Sequence, residues 1–199
     1  MRGRSIRDER VLEAMSLVPR HMFVEEALHA RAYEDNSLPI GQNQTISQPY
    51  IVALMSEALE LTGVETVLEV GTGSGYQSAI LSRLANTVFS VERVSRLAMK
   101  ARRILDRLGV TNVRIKVADG STGWPENAPY DAAIVAAASP SVPKSILSQV
   151  KEGGAMVIPI GSDSSQKLMK IVRGRESDCV SELTGCRFVK LIGNEGWKV

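Results

Sequence analysis

The sequence predicts an α/β fold: a mostly parallel sheet with helices on both faces, antiparallel C-terminal strands and an N-terminal helical extension. Three observations predict it. From residue 49 to residue 160, apolar β-branched runs alternate with stretches of helical periodicity, the pattern of βαβ units. The first such run, Thr66–Val70, leads directly into Gly71-Thr-Gly-Ser-Gly75 and then into helix-forming residues. A strand that reverses there needs residues that tolerate positive φ and close backbone approach. Beyond residue 160, residues 167–172 and 186–192 read as two strands with no helix between them, so antiparallel pairing is expected.

Residues 8–18 place Val11, Ala14, Met15 and Val18 at helical spacing, and a second helix is expected over 21–32, after Pro19. Residues 34–47 are polar and aperiodic and read as a loop; a loop of that length in a compact domain is uncommon and often functional. Pro49 opens a helix in which Ile51, Leu54, Met55, Ala58 and Leu59 share one face. Then follow strand 66–70, helix 76–84, strand 87–92, helix 94–108, strands 113–118 and 130–138, helix 143–150 and strand 155–160. Crossovers between parallel strands are expected to be right-handed.

With 199 residues, no internal repeat and no linker, the chain is expected to form a single domain. The net charge of +2 gives no general affinity for nucleic acid or membranes. Two cysteines, Cys179 and Cys186, are too few for a disulfide scaffold and match no common zinc spacing; they are expected to be free thiols, and no metal is expected. The start, Met1 to Ser5, lacks an apolar leader region. No stretch reaches the roughly 20 apolar residues of a membrane helix, so a cytoplasmic location is expected.

The glycine turn has a chemical partner. Glu92 closes the second apolar run, where a carboxylate at a strand end can hold ribose hydroxyls. The glycines fall at 71, 73 and 75, with Tyr at 76. This spacing differs from the G-x-G-x-x-G of dinucleotide sites and suits S-adenosylmethionine, which has no pyrophosphate. A P-loop is excluded because no Gly-Lys-Ser/Thr follows. Asp119 ends the third strand in Val117-Ala-Asp-Gly120 and could reach an adenine amino group. Either acid alone could equally cap a helix or loop; both at successive strand ends point to a cofactor.

The chain resembles the protein-L-isoaspartate O-methyltransferase family over nearly its whole length. The most specific residues are Leu38-Pro-Ile-Gly41 and Thr45-Ile-Ser-Gln-Pro-Tyr-Ile-Val-Ala53, upstream of a glycine loop, Glu69 to Gln77, of a kind common to many methyltransferases. Val18-Pro-Arg20, Phe23, Gly123-Trp-Pro125, Pro129-Tyr-Asp131 and Ile158-Pro-Ile-Gly161 agree as well. The resemblance implies a Rossmann-like, class I S-adenosylmethionine-dependent methyltransferase fold. It makes Ser47 the active-site hydroxyl, with Ile46, Gln48, Pro49 and Tyr50 flanking the sulfonium end of the cofactor. It assigns Gly71, Thr72, Gly73, Gly75, Glu92, Asp119 and Gly120 to the nucleoside side and Gln166 to the amino-acid part. The domain then divides into N-terminal helices and active-site loop (1–48), cofactor-binding core (49–161) and C-terminal strands (162–199). Apart from the resemblance, Ser47 reads as a capping hydroxyl ahead of Pro49. The chain departs from the family's usual residues at Asn43, Ala118, Ala136 and Lys190.

The implied substrates are proteins and peptides carrying isoaspartate, whose free α-carboxyl has a pKa of roughly 3.5 and is ionised at neutral pH. No general base is then needed, and His21 and His29 are read as surface or packing residues. The 34–47 loop and the C-terminal strand region are expected to form the peptide groove, and the protein is expected to act as a monomer without nucleic acid. Competing readings are an RNA or small-molecule methyltransferase, suggested by Arg93, Arg96, Lys100, Arg102, Arg103 and Arg107 along one helix, a non-catalytic module, and, more distantly, a nicotinamide-dependent reductase.

Overall fold

The computed structural model describes residues 6–198; Met1 to Ser5, on which the expectation about a leader rests, and Val199 lie outside the described residues. The elements are α1 (Glu9–Leu17), β1 (Leu38–Gly41), β2 (Gln44–Ile46), α2 (Pro49–Ala58), β3 (Thr66–Val70), α3 (Tyr76–Leu81) and β4 (Thr87–Glu92). They continue with α4 (Ser95–Arg107), β5 (Val113–Val117), β6 (Tyr130–Val135), α5 (Lys144–Ser148), β7 (Val150–Gly161), β8 (Gln166–Val172) and β9 (Cys179–Cys186). The main sheet runs β5-β4-β3-β6-β7-β8-β9. Its first five strands are parallel, and β8 and β9 are antiparallel to their neighbours. The order reverses beside β3: the chain winds outward to β5 and returns on the other side as β6. Such a switch opens a crevice at the carboxyl ends of the strands.

The central strands are buried on both faces, as a sheet covered by helices on both sides requires. Successive residues of β3 point to opposite layers. Val67 joins Ile134, Ile80, Leu105 and Met55 in one core. Leu68 and Val70 join Ala133, Met156, Ile146 and Tyr130 in the other. The α/β class, the helices on both faces and the antiparallel C-terminal strands are therefore as the sequence indicates.

Three local expectations are corrected. Residues 21–32 form two 3₁₀ turns, Arg20–Phe23 and Glu26–Arg31, rather than one helix. Val24 and Glu25 between them are extended, and this break lets Phe23 and Val24 both be buried. The 34–47 segment is not all loop, because β1 and β2 form a hairpin closed by Gln42 and Asn43. Both turn residues have positive φ, 54° and 55°, the requirement of a tight hairpin turn of the primed type; Asn43 suits it. Finally, the last strand is Cys179–Cys186, not 186–192. It is a largely exposed edge strand, while the apolar residues after it leave the sheet to cover the carboxyl ends of the strands.

Cys179 and Cys186 are free thiols at the two ends of β9, and burial pushes the Cys186 thiol up to about 11. Among the described residues, no helix is long and apolar enough to cross a membrane, and no cluster of metal-ligating side chains occurs.

Candidate active site

The crevice beside β3 holds a cavity enclosing about 900 Å³ of space, including its open mouth, within the roughly 300–1,000 Å³ of small-molecule sites. Its floor is the glycine turn. Gly71, Gly73 and Gly75 have φ of 93°, 54° and 88°, a left-handed conformation that side chains strain to adopt. At Gly75, which caps α3, an added Cβ would also stand 3.0 Å from the Ala101 Cβ. Glu92, buried at the end of β4, accepts from the Gly73 N–H at 2.9 Å and the Val94 N–H at 2.8 Å. One carboxylate thus fixes the glycine turn to the start of α4, and each oxygen keeps a further lone pair for a ligand.

Behind the turn lies a fully buried acid. Glu69 accepts from the Ser78 hydroxyl and from the Ser90 hydroxyl at 2.6 Å. Ser90 spends its proton on Glu69, so Thr72 donates to Ser90, 2.5 Å away. Among the described residues, the other Glu69 oxygen has no hydrogen-bond partner. Burial pushes its carboxyl up to about 7 against the pull of the two serines, and the Glu92 charge adds to the rise. Thr72 is thereby tied to the strands beneath it.

Ser47 lies between the β1–β2 hairpin and α2 and lines the cavity with Gln44, Thr45 and Ile46. Gln48 is the N-cap of α2 but makes no capping bond with its own side chain. The Tyr50 N–H, which a cap would normally take, donates instead to Asp35 at 3.0 Å, and the Gln48 amide donates to the other Asp35 oxygen at 2.8 Å. The Ser47 hydroxyl has no hydrogen bond among the described residues. Its reading as a helix cap is corrected: Asp35 does that work.

The opposite wall is the tail after β9. Val189, Lys190, Leu191 and Ile192 line the cavity, clipped to the segment that follows β6 by Ala138 N to Val189 O and Leu191 N to Ala138 O, each 2.8 Å. Trp197 folds back to donate its indole N–H to the Ala138 carbonyl at 3.1 Å. Lys190 stands over the Trp197 ring and pairs with Asp163 at 2.6 Å.

The structure thus gathers Ile46, Ser47, Gly71, Thr72, Gly73, Glu92 and Gly120 around one cavity. The other six predicted residues lie outside its lining. Gln48 and Tyr50 hold Asp35, Pro49 is the first residue of α2, and Gly75 caps α3. Asp119 accepts from the Ser121 N–H and hydroxyl and from the Asn194 N–H at 2.8 Å. Burial opposes its ionisation, but these bonds outweigh burial and hold its carboxyl below the usual range. Gln166 bonds both backbone groups of Phe188, accepting from its N–H at 2.6 Å and donating to its carbonyl at 3.2 Å. Sequence reasoning placed the C-terminal region at the groove but took residues 186–192 for a strand of the sheet rather than a wall of the cavity, because a short run rich in apolar residues reads the same either way. It missed Arg93, adjacent to Glu92 and part of the lining.

The arrangement has known counterparts. The family model for protein-L-isoaspartate(D-aspartate) O-methyltransferase matches residues 1–196. A protein-L-isoaspartate O-methyltransferase of Geobacter metallireducens is 57% identical over 98% of this chain and 91% of its own. One of Syntrophus aciditrophicus is 54% identical over 99% and 92%. A solved protein-L-isoaspartate O-methyltransferase superposes with a TM-score of 0.89 at 30% identity, over 98% of this chain and 64% of that one. A Plasmodium falciparum protein described as such an enzyme, in complex with S-adenosyl-L-homocysteine, shares the fold with a TM-score of 0.83 at 24% identity, over 97% and 95%. By the family match and the close relatives, this chain belongs to the protein-L-isoaspartate (D-aspartate) O-methyltransferase family.

Proposed function

We propose that Ser47 orients the free α-carboxylate of an L-isoaspartyl residue beside the methyl donor, so that the protein esterifies damaged proteins and peptides and starts their repair through a succinimide. Enzymes of this family use S-adenosyl-L-methionine, which supplies a methyl group on a cationic sulfur. The residues present fit that group: a glycine turn with no Cβ to obstruct it, one buried carboxylate at a strand end, and apolar walls from Val52, Met55, Val70 and Val91. Glu92 with Gly71, Thr72, Gly73 and Gly120 would hold the nucleoside, and S-adenosyl-L-homocysteine is the product.

The observation that carries this reading is the Ser47 hydroxyl, without a hydrogen bond among the described residues, on the same cavity as the glycine turn and Glu92. The substrate carboxylate is already ionised, so the chain's task is to orient it and exclude water. A single neutral hydroxyl orients an anion without quenching its nucleophilicity as a buried cation would. The hairpin and the tail flank the mouth, where a peptide can lie extended and pair through its backbone, giving breadth of sequence. The cationic helix does not favour a nucleic-acid reading: Arg102 is bonded to Asp106 and to the Val110 and Val113 carbonyls, and Lys100 is paired with Glu25. The protein acts as a monomer in the cytoplasm.

The test is transfer of labelled methyl to matched isoaspartyl and aspartyl peptides. Base-labile label on the isoaspartyl peptide alone is expected, with S47A lowering kcat roughly 100-fold while S-adenosyl-L-homocysteine still binds. Equal labelling of both peptides, or full activity in S47A, would refute the assignment.

A further inference from the structure

We infer that Asp35 is the positioning residue of the active site: by capping α2 from a remote loop, it keeps the Ser47 hydroxyl free for the substrate. The inference rests on the reading of Ser47 given above.

A helix that begins at Pro49 exposes the N–H groups of Tyr50 and Ile51, and the side chains nearest in sequence compete to satisfy them. Ser47 is a strong candidate, because short hydroxyl side chains readily bond neighbouring backbone. A serine occupied in that way would turn its oxygen into the helix end and away from the cavity. Asp35 removes the competition. Its two oxygens take the Tyr50 N–H at 3.0 Å and the Gln48 side-chain amide at 2.8 Å, so the residues on the C-terminal side of Ser47 are pinned from outside the helix.

Asp35 is itself held. Arg20 is only 1% exposed and donates from Nε to the Ala32 carbonyl at 2.7 Å and from Nη2 to the Asn36 carbonyl at 3.3 Å. These bonds bracket the segment that carries Asp35. The guanidinium lies over the Tyr76 ring, 4.8 Å from its centroid, and Tyr76 lines the cavity. Burial lowers the Arg20 pKa, and the contact with the Tyr76 side chain and the Asp35 charge work against that fall. The chain of contacts therefore runs from Arg20 to the 32–36 segment, through Asp35, to the turn that presents Ser47.

The experiment is a double-mutant cycle on methyl transfer to an isoaspartyl peptide, using wild type, D35A, S47A and D35A/S47A. If Asp35 acts through Ser47, D35A lowers kcat by roughly ten- to a hundredfold and moves the cofactor KM little. On the S47A background the same change costs no more than about twofold. D35N should restore most of the activity, since its oxygen accepts from Tyr50 and the Gln48 amide can turn to present its own oxygen. Equal losses from D35A on both backgrounds would make Asp35 a general stabiliser and overturn the inference. A D35N loss as large as that of D35A would overturn it too. If D35A does not fold, D35S replaces it, because its shorter side chain carries one oxygen where Tyr50 and Gln48 are now held by two separate ones. If S47A alone retains full activity, the reading of Ser47 fails, a result separate from any behaviour of Asp35.

Discussion

Single side chains here hold more than one structure at once. Glu92 occupies the strand end where a ribose acid belongs, and the same carboxylate ties Gly73 to Val94. Removing it takes away charge-assisted bonds of roughly 1.5–3 kcal/mol each and frees the glycine turn. E92A is therefore expected to weaken S-adenosyl-L-homocysteine binding by roughly 10- to 100-fold in titration calorimetry, with E92Q intermediate. Binding within threefold of wild type would reduce Glu92 to a loop tie. Asp119 is the contrasting case. Its bonds to Ser121 and Asn194 explain why a carboxylate at the matching strand end lies outside the cavity lining. From sequence the two acids look equivalent; only the tail that docks on Asp119 separates them.

Among the elements, the C-terminal tail departs furthest from what its sequence suggests. Residues 186–192 form a short apolar run of the kind a strand shows, yet they leave the sheet after β9 and close one wall of the cavity. Gln166 at the start of β8 fixes this course by bonding both backbone groups of Phe188. Replacing it with Leu leaves two inward-turned backbone groups unsatisfied, at roughly 1–3 kcal/mol each. Q166L should raise the apparent Kd for cofactor roughly tenfold and expose the bonds after Cys186 to limited proteolysis. A Kd change with no gain in cleavage would point instead to direct contact between Gln166 and the ligand. The β1–β2 hairpin was hidden for a related reason: its strands are too short for alternation to register, and the signal lies in the turn.

At the scale of the whole molecule, stability and pH are coupled through two glutamates at opposite ends of β3. Glu65 lies beside the β3 start, where burial works to raise its carboxyl but bonds from Thr62 and Gly63 outweigh it and draw it down to about 2. Its contribution is present above the ordinary value of 4.5 and is lost as pH falls toward 2. Glu69 behaves oppositely. With its folded value raised to about 7, the folded state binds the extra proton, so stability falls as pH rises from about 4.5 to 7 and is level above. The effect is on the order of 3 kcal/mol. Urea unfolding of wild type and E69Q at pH 5 and pH 7.5 should show E69Q gaining on wild type at the higher pH. A constant difference would mean that Glu69 is ionised throughout.

Chemical identity and strand alternation were legible along the chain. The glycine spacing, Glu92 and the alternation of strands with helices determined an α/β cofactor-binding fold, because period and backbone freedom are local properties that neighbours in sequence express directly. The Thr45–Ser47 segment marked the family. Only the tertiary structure decided that the Ser47 hydroxyl has no hydrogen bond among the described residues, that the tail forms a wall, and that Asp35, Gln166 and Asp119 hold these parts in place. Each of those outcomes depends on which distant group satisfies a given N–H or carbonyl, and that choice is made when the chain is packed.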